Sequence, residues 1–310
     1  MNEVLYDDFL AVLGARDTRL VLSDEDKRLD YSDLEEDFKN FFSGERLSTK
    51  AVLGIDVYQY SNYPEIPQFL IPPVIKFIYQ ETVRSLLDAE SYLFQHSTLE
   101  QLENDFINTG DGGFQILDTP IHCVVFALYF EANCRMFTSL TVYPKLGSLI
   151  GDFGLRYAMS YEKLYRFDNN FFGPAIINNA RMLSKDKLNR CLVDSNFQQW
   201  FLHRIGGVES LNIRTLIEVS KLQEFQHYST TSPSEPNLAL DGLMIAVEDY
   251  EENNLKTLDL LKIGQIRAKQ TELDIFNLHL KAMVGVGGDN ESTKEFIVTV
   301  GNLNTSGIDE

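Results

Sequence analysis

The sequence predicts an α+β fold built on a ferredoxin-like core, and three observations lead there. Ala51 to Val57 is a strongly apolar, β-rich run of the kind that fills the centre of a sheet. Asp105 to Asn108 and Phe114 to Leu117 read as two short strands joined across TGDGG, whose glycines permit the backbone of a hairpin turn. The segments around them have helical spacing, giving the order β, α, β-β hairpin, α, β, β, α, β. Two α/β repeats of this kind pack helices on one face of a largely antiparallel sheet.

Each element has its own justification. Met1 to Lys50 predicts two short helices joined by charged loops, with Phe38, Phe41 and Phe42 packing back on the core. After the Ala51 strand, Ser61 to Pro73 carries Pro64, Pro67, Pro72 and Pro73, so the next helix is expected to begin only late in this stretch. Ile75, Ile78, Val83 and Leu87 then follow at nearly helical spacing. Thr119 and Pro120 suit the start of an unusually apolar helix that continues to Met136 and Phe137. Phe153 to Met159 reads as a strand and Glu162 to Phe167 as a returning segment. A helix over Gly173 to Leu183, a strand over Arg190 to Val193 and a helix over Phe197 to Ile205 complete the core.

The domain expectation follows these shifts. Residues 1–49 form a helical extension, 50–205 the core, 206–236 a helical connection and linker, and 237–310 a small β-rich unit with a flexible tail. TTSPSEP within Ser229 to Pro236 is the linker signal. Ile263 to Ala268, Leu273 to Leu280 and Phe296 to Val300 alternate like antiparallel strands, and Asn302 to Glu310 reads as a disordered tail.

Composition narrows the function. A formal charge of -19 over 310 residues, with no basic tract, disfavours extended binding to a nucleic-acid backbone. It leaves room for a nucleotide, whose triphosphate a pair of divalent cations screens locally. Cys123, Cys134 and Cys191 are widely spaced and odd in number, as apolar fillers in a reducing cytoplasm are. MNEVLYDDF has early acids and no basic lead, unlike a secretory signal, and no apolar run approaches the roughly 20 residues of a membrane span.

The chemistry-bearing residues are Asp56 in GIDVYQY and Asp111 in the TGDGG turn. Two carboxylates on adjacent strand ends make an oxygen-ligand site for hard divalent cations, and hence for a phosphate-rich substrate. Here the chain resembles the catalytic domain of class III nucleotidyl cyclases, over Lys50 to about Ile205. Three pieces carry the resemblance in order: GIDVYQYS from Gly54 to Ser61, TGDGGF from Thr109 to Phe114, and FFGPAIINNARML from Phe171 to Leu183. It implies a head-to-tail homodimer with shared active sites. Asp56 and Asp111, with the main chain of Val57, would bind two divalent ions, Mg2+ or Mn2+, while Arg181 arrives from the other subunit. The reaction would be attack of the ribose 3′-oxygen on the α-phosphorus, with release of pyrophosphate.

Departures from the family pattern sharpen the reading. The position of the family's catalytic asparagine falls on Ile177, with Asn178 next along the helix; either Asn178 is recruited, or the ribose and phosphate are stabilised another way. The two base-reading positions fall on Ile107, which cannot pair with a purine edge, and Asn170, which both donates and accepts. Tyr58 is bulky where many relatives are small. These changes resemble the bacterial anti-phage pyrimidine cyclases, implying UTP as the favoured substrate, a cyclic UMP product and a separate cyclic-nucleotide effector. CTP, a purine triphosphate, and a catalytically silent nucleotide-binding or interaction module stay open as alternatives. Arg156, Lys163 and Arg166 are cations near the plausible site without an assigned triphosphate role.

Overall fold

The computed structural model describes residues 2–16, 32–91, 93–138, 143–204, 238–240, 243–246, 255–268, 271–288 and 294–308. The linker expected within 206–236 lies outside the described residues. Two short helices come first, α1 (Tyr6–Arg16) and α2 (Ser32–Phe41). Phe38 stacks on Phe42, Phe41 sits edge-on to both, and the Phe42 ring lies 5.0 Å from that of Tyr165, so these phenylalanines pack back on the core as expected.

The core runs β1 (Ser48–Val57), α3 (Glu65–Ala89), α4 (Leu99–Asn104), β2 (Phe106–Asn108), β3 (Gly112–Leu117), α5 (Pro120–Thr138), α6 (Pro144–Ile150) and β4 (Leu155–Phe167). It continues through β5 (Asn170–Phe172), α7 (Pro174–Lys185), β6 (Cys191–Asp194) and α8 (Ser195–Arg204). The sheet order begins β2-β3-β1-β4, and every neighbouring pair in that run is antiparallel. With α3 and α5 as the crossovers, this is the βαββαβ order of a ferredoxin-like core, as the pattern predicted. Leu53, Ile55 and Val57 of β1 join Ile71, Ile78, Phe126 and Phe130 in one large apolar cluster beneath α3 and α5. Val52 meets Ala175 of α7 in a separate cluster. Because β-strand side chains alternate between faces, α7 covers the face opposite α3 and α5. The expectation of helices on one face holds for the two crossovers and fails for α7.

Three other expectations are corrected. α3 begins at Glu65 and carries Pro72 and Pro73 inside it. Pro67 falls in the first turn, where an N–H has no intrahelical acceptor. Pro72 cannot donate to the carbonyl of Gln68, and the Tyr60 hydroxyl donates to that carbonyl instead at 2.5 Å. Next, the strand and returning segment predicted over Phe153 to Phe167 form one strand, β4, paired with β1 from Val57↔Leu155 to Ser48↔Leu164. β5 makes the return, pairing Phe167 with Asn170.

The third correction concerns the C-terminal tail, which follows the expected β-rich extension of β7 (Leu238–Leu240), β8 (Leu243–Ala246), β9 (Leu255–Ala268), β10 (Thr271–Gly288) and β11 (Lys294–Val300). β6 pairs parallel with β4 and antiparallel with β10, so the central sheet passes directly into these strands. The tail expected to be disordered is docked as far as it is described. Ile308 packs with Ile263 and Ile266, and the Ser306 carbonyl accepts from Arg190 Nη1 at 2.6 Å.

Tyr60→Phe removes the donor that replaces the missing Pro72 N–H, and should cost about 1 kcal/mol in urea unfolding. Pro72→Ala restores a main-chain donor, so the cost of losing the Tyr60 hydroxyl should shrink in that background. Equal costs in the two backgrounds would reject this account of the helix.

Candidate active site

Asp56 stands near the end of β1, on the face that carries α7. β1 and β3 pair in the register Asp56↔Gly112, and the Val57 N–H donates to the Asp111 carbonyl at 3.1 Å. The structure thus brings the two sequence-predicted carboxylates to adjacent strand ends, close enough for the Asp111 charge to act on Asp56. Gly112 makes the approach possible, since a Cβ there would lie 2.0 Å from the Ile55 carbonyl oxygen. The turn itself is held by Asn108 Oδ1, which accepts from the Gly110 N–H at 2.7 Å, and by the Thr109 N–H, which donates to Gly112. Val57 buries its side chain in the core, so any role toward a cation falls to its main-chain oxygen.

Arg156 is the residue that sequence reasoning left unassigned. It lies directly opposite Asp56 in the β1–β4 register, and its Nε donates to Asp56 Oδ2. Its Nη1 donates to the main-chain carbonyl of Asp186 at 2.7 Å. Asp186 in turn holds Arg190 through hydrogen bonds of 2.8 and 2.9 Å, with both side chains 2% exposed. Burial pushes the Asp56 carboxyl above its ordinary range; the Arg156 hydrogen bond and charge pull it down, and Asp111 pushes it up. The signal for Arg156 was positional. It enters β4 one residue after that strand starts, as Asp56 leaves β1 one residue before it ends, and only the pairing register joins them.

α7 supplies the other group. Asn179 is fully buried, and its Nδ2 donates to the carbonyls of Val52 at 2.8 Å and Ala158 at 2.9 Å, fixing the helix to the sheet. Gly54 permits that contact, because a Cβ there would fall 2.1 Å from Asn179 Oδ1. Arg181 Nη1 donates to Asn178 Oδ1 at 3.4 Å, so Asn178 shares a flank with the arginine. Ile177 is 48% exposed on the other side of Arg181. At about 100° per residue, positions 177 and 178 lie to either side of Arg181 on the helix surface. Among the described residues, no hydrogen bond or ion pair joins Arg181 to Asp56 or Asp111.

The base-reading candidates divide. The Tyr58 hydroxyl donates to the Lys187 carbonyl at 2.9 Å, tying the end of β1 to the segment after α7. Ile107 packs against the cluster of Val52, Leu164 and Phe171. Asn170 is exposed, and its Oδ1 accepts from the Phe171 N–H, which leaves its amide donors open to solvent. From Arg156 to Phe167, the partner of Asn170, β4 covers about 35 Å of strand, so Asn170 and Asp56 occupy opposite ends of the sheet. Of the remaining cations, Lys163 is exposed, while Arg166 lies over the Phe171 ring, 5.5 Å from its centroid.

The donor set at Asp56 and Asp111 is all oxygen, two carboxylates with a main-chain carbonyl beside them. Such a set fits a hard cation that takes its remaining ligands from water and substrate phosphate, as Mg2+ characteristically does. Among the described residues, no group of three or more His, Cys, Asp or Glu side chains is placed to hold a metal ion.

No protein-family description and no curated protein matches the chain. Solved structures of similar outline include an adenylate/guanylate cyclase/hydrolase from Silicibacter pomeroyi, 12% identical over 75% of this chain and 96% of that one, with a TM-score of 0.41. The adenylyl cyclase CyaB from P. aeruginosa is 8% identical over 75% and 95%, with a TM-score of 0.39. The guanylate cyclase domain of RhGC from Catenaria anguillulae, in complex with GTP, is 10% identical over 74% and 95%, with a TM-score of 0.38. These are what the chain is similar to, and no residue's role transfers from them.

The electrostatics of Asp56 give a pH test. Its folded-state pKa is raised, so the unfolded chain ionises first, and Asp56 lowers stability as pH climbs from the unfolded to the folded value. Arg156→Gln removes a contribution that lowers the folded value. The Asp56 titration, followed by carboxyl NMR, should move further up in that variant, and the stability lost over the window should grow. A titration that stays put or moves down would contradict the contact.

Proposed function

We propose that this chain is a class III-type nucleotidyl cyclase that converts UTP to 3′,5′-cyclic UMP and pyrophosphate. The observation that carries the reading is the juxtaposition of Asp56 and Asp111 on the β1 and β3 ends of a βαββαβ core, with Arg181 displayed on α7. Asp56, Asp111 and the Val57 carbonyl would hold two divalent cations, Mg2+ or Mn2+. When bound, those ions neutralise phosphate charge and make the ribose 3′-oxygen a better nucleophile.

The chain's own residues do the rest. Arg181 offers a planar fork of donors to the non-bridging oxygens of the α-phosphate, where charge rises in the transition state. Asn178 steadies that fork through its Oδ1. Holding the 3′-oxygen in line with the α-phosphorus then supplies much of the acceleration. Arg156, which holds Asp56 and carries a positive charge beside the carboxylate pair, offsets their mutual repulsion.

A head-to-tail homodimer is the assembly that fits these positions. Asp56 and Asn170 lie at opposite ends of the sheet, and among the described residues no hydrogen bond or ion pair joins Arg181 to Asp56 or Asp111 of its own chain. A second copy related by a two-fold axis brings the Asn170 and Arg181 of one subunit to the Asp56 end of the other, and forms two equivalent clefts. Ile107 beside the base and Tyr58 beside Asp56 favour a small pyrimidine, with Asn170 pairing to its edge. The proposal extends to a cytoplasmic, anti-phage signalling role with a separate cyclic-nucleotide effector. Ile177 supports one second reading, a silent nucleotide-binding module, because an alkyl side chain stands where a polar donor would serve catalysis.

Purified protein incubated with ATP, GTP, CTP or UTP and Mn2+, with products identified by mass, should yield cyclic UMP. A predominantly purine product would reject the pyrimidine assignment, and tight triphosphate binding without any cyclic product would favour the silent module. Asp56→Asn or Asp111→Asn should lower turnover by roughly a thousandfold, since cation-borne charge stabilisation is worth several kcal/mol, while the melting temperature stays near wild type.

The shared cleft makes a separate prediction. Neither Asp56→Asn nor Arg181→Ala should be active alone, but their mixture after subunit exchange should recover about a quarter of wild-type activity, because half the dimers then hold one intact cleft. Complete absence of recovery, with exchange verified by mass spectrometry, would count against the two-subunit site.

A further inference from the structure

A cavity of about 340 Å³ opens where α5, the start of β4 and the C-terminal strands meet. None of Asp56, Asp111, Arg156 or Arg181 lines it. Its charged walls come from Glu131 and Arg135 on α5 and from His279 and Lys281 on β10, with Thr299 of β11 beside them. In a chain of net charge -19, this is a local reversal of sign: two permanent cations and an imidazole face one carboxylate.

The carboxylate is already satisfied. Glu131 accepts from the Tyr157 hydroxyl at 2.8 Å and from Arg135 Nε at 3.1 Å, and it is 6% exposed. Arg135 gives only Nε to that pair and keeps its terminal nitrogens. Lys281 is half-buried, and no hydrogen bond or ion pair holds it among the described residues. His279 is 5% exposed. Its Nδ1 lies 3.0 Å from the Gly301 carbonyl, which can only accept, so the hydrogen sits on Nδ1. Nε2 is left on a buried ring with no protein partner among the described residues. His279 lines the cavity beside Lys281, so Nε2 and the ammonium are open to an occupant of that space.

We propose that this cavity binds a small phosphate-bearing anion and that the bound anion ties the C-terminal strands to the core. Arg135 and Thr299 stand on different elements from His279 and Lys281, and donors from several directions suit the tetrahedral oxygens of a phosphate better than a flat carboxylate. With its hydrogen on Nδ1, His279 can accept a hydrogen bond at Nε2 from the hydroxyl of hydrogen phosphate, while Lys281 and Arg135 donate to the other oxygens. The location implies a consequence for the rest of the fold. The Gly154 carbonyl, at the edge of the cavity, accepts from the Tyr58 N–H at 2.9 Å, so an occupant sits one main-chain hydrogen bond from the strand end that carries Asp56. The inference does not depend on cyclase activity.

The test is calorimetric titration of the full chain, free of divalent cations, with inorganic phosphate, ribose 5-phosphate and acetate. Saturable binding of either phosphate at one site per chain, with acetate much weaker, is the expected result. Tighter binding of ribose 5-phosphate would identify a phosphomonoester as the natural class, and equal or tighter binding of inorganic phosphate would identify the free ion. Lys281→Gln should weaken either by about tenfold, as loss of one charge-assisted contact does, and Lys281→Glu should abolish it. Both variants should melt near wild type, because among the described residues no side-chain hydrogen bond or ion pair of the fold depends on Lys281, and Arg181→Ala should bind as wild type does. Absence of saturable binding, acetate binding as well as phosphate, or a loss caused by Arg181→Ala in place of Lys281→Gln would each overturn the proposal.

Discussion

The close approach of the β2–β3 turn to β1 is the constraint on which the candidate site depends. Gly112 has no side chain to hold the strands apart, and the carbonyl of Ile55 occupies the space a Cβ would need. That contact sets the register Asp56↔Gly112, and the register decides which face of β1 meets α7. A slip of one residue would drive Asp56 into the apolar cluster beneath α3 and α5 and expose Ile55 in its place. An ionised carboxylate buried there without a partner is costly enough to forbid the slip. The apolar residues that anchor the strand therefore also aim its carboxylate.

Much of this was legible because it is local. The β1 run, the glycine turn and the start of α5 each declare themselves within about ten residues, and the hairpin placed Asp111 before any long-range contact was known. Features that depend on contacts distant in sequence were hidden. The prolines of α3 argued for a late start because the compensating donor, the Tyr60 hydroxyl, comes from outside the helix. β4 read as two segments because Glu162, Lys163 and Arg166 interrupt its apolar pattern, although it pairs with β1 without a break from Leu155 to Leu164. The docked tail was concealed because its carbonyls, which any residue supplies, are what hold Arg190.

Arg156 belongs with the hidden features, and it alters the chemistry of the site. Two carboxylates on neighbouring strand ends repel, and partial burial strengthens the repulsion. The guanidinium opposite Asp56 offsets it in part, although burial still holds the Asp56 carboxyl above its ordinary range. The same positive charge opposes an incoming divalent ion. The site therefore keeps its geometry at the expense of cation affinity, and a substrate that brings negative phosphates with its metal redresses the balance.

Asp186 extends this argument beyond the site. Its carbonyl anchors Arg156, and its carboxylate is committed to Arg190, which reaches the main chain of Ser306. A buried guanidinium left without its acceptors costs more than the contacts are worth when made. The C-terminal segment is thereby coupled to the orientation of Asp56 through short contacts, with the Arg190–Asp186 pair buried and the others partly so. β10 reinforces the coupling by pairing with β6, the strand that follows Asp186 and Arg190. The C-terminal strands are in this sense part of what braces the carboxylate, and a core cut after β6 would keep Asp56, Arg156, Asp186 and Arg190 but lose the Ser306 carbonyl that holds Arg190 and the β10 strand that flanks β6.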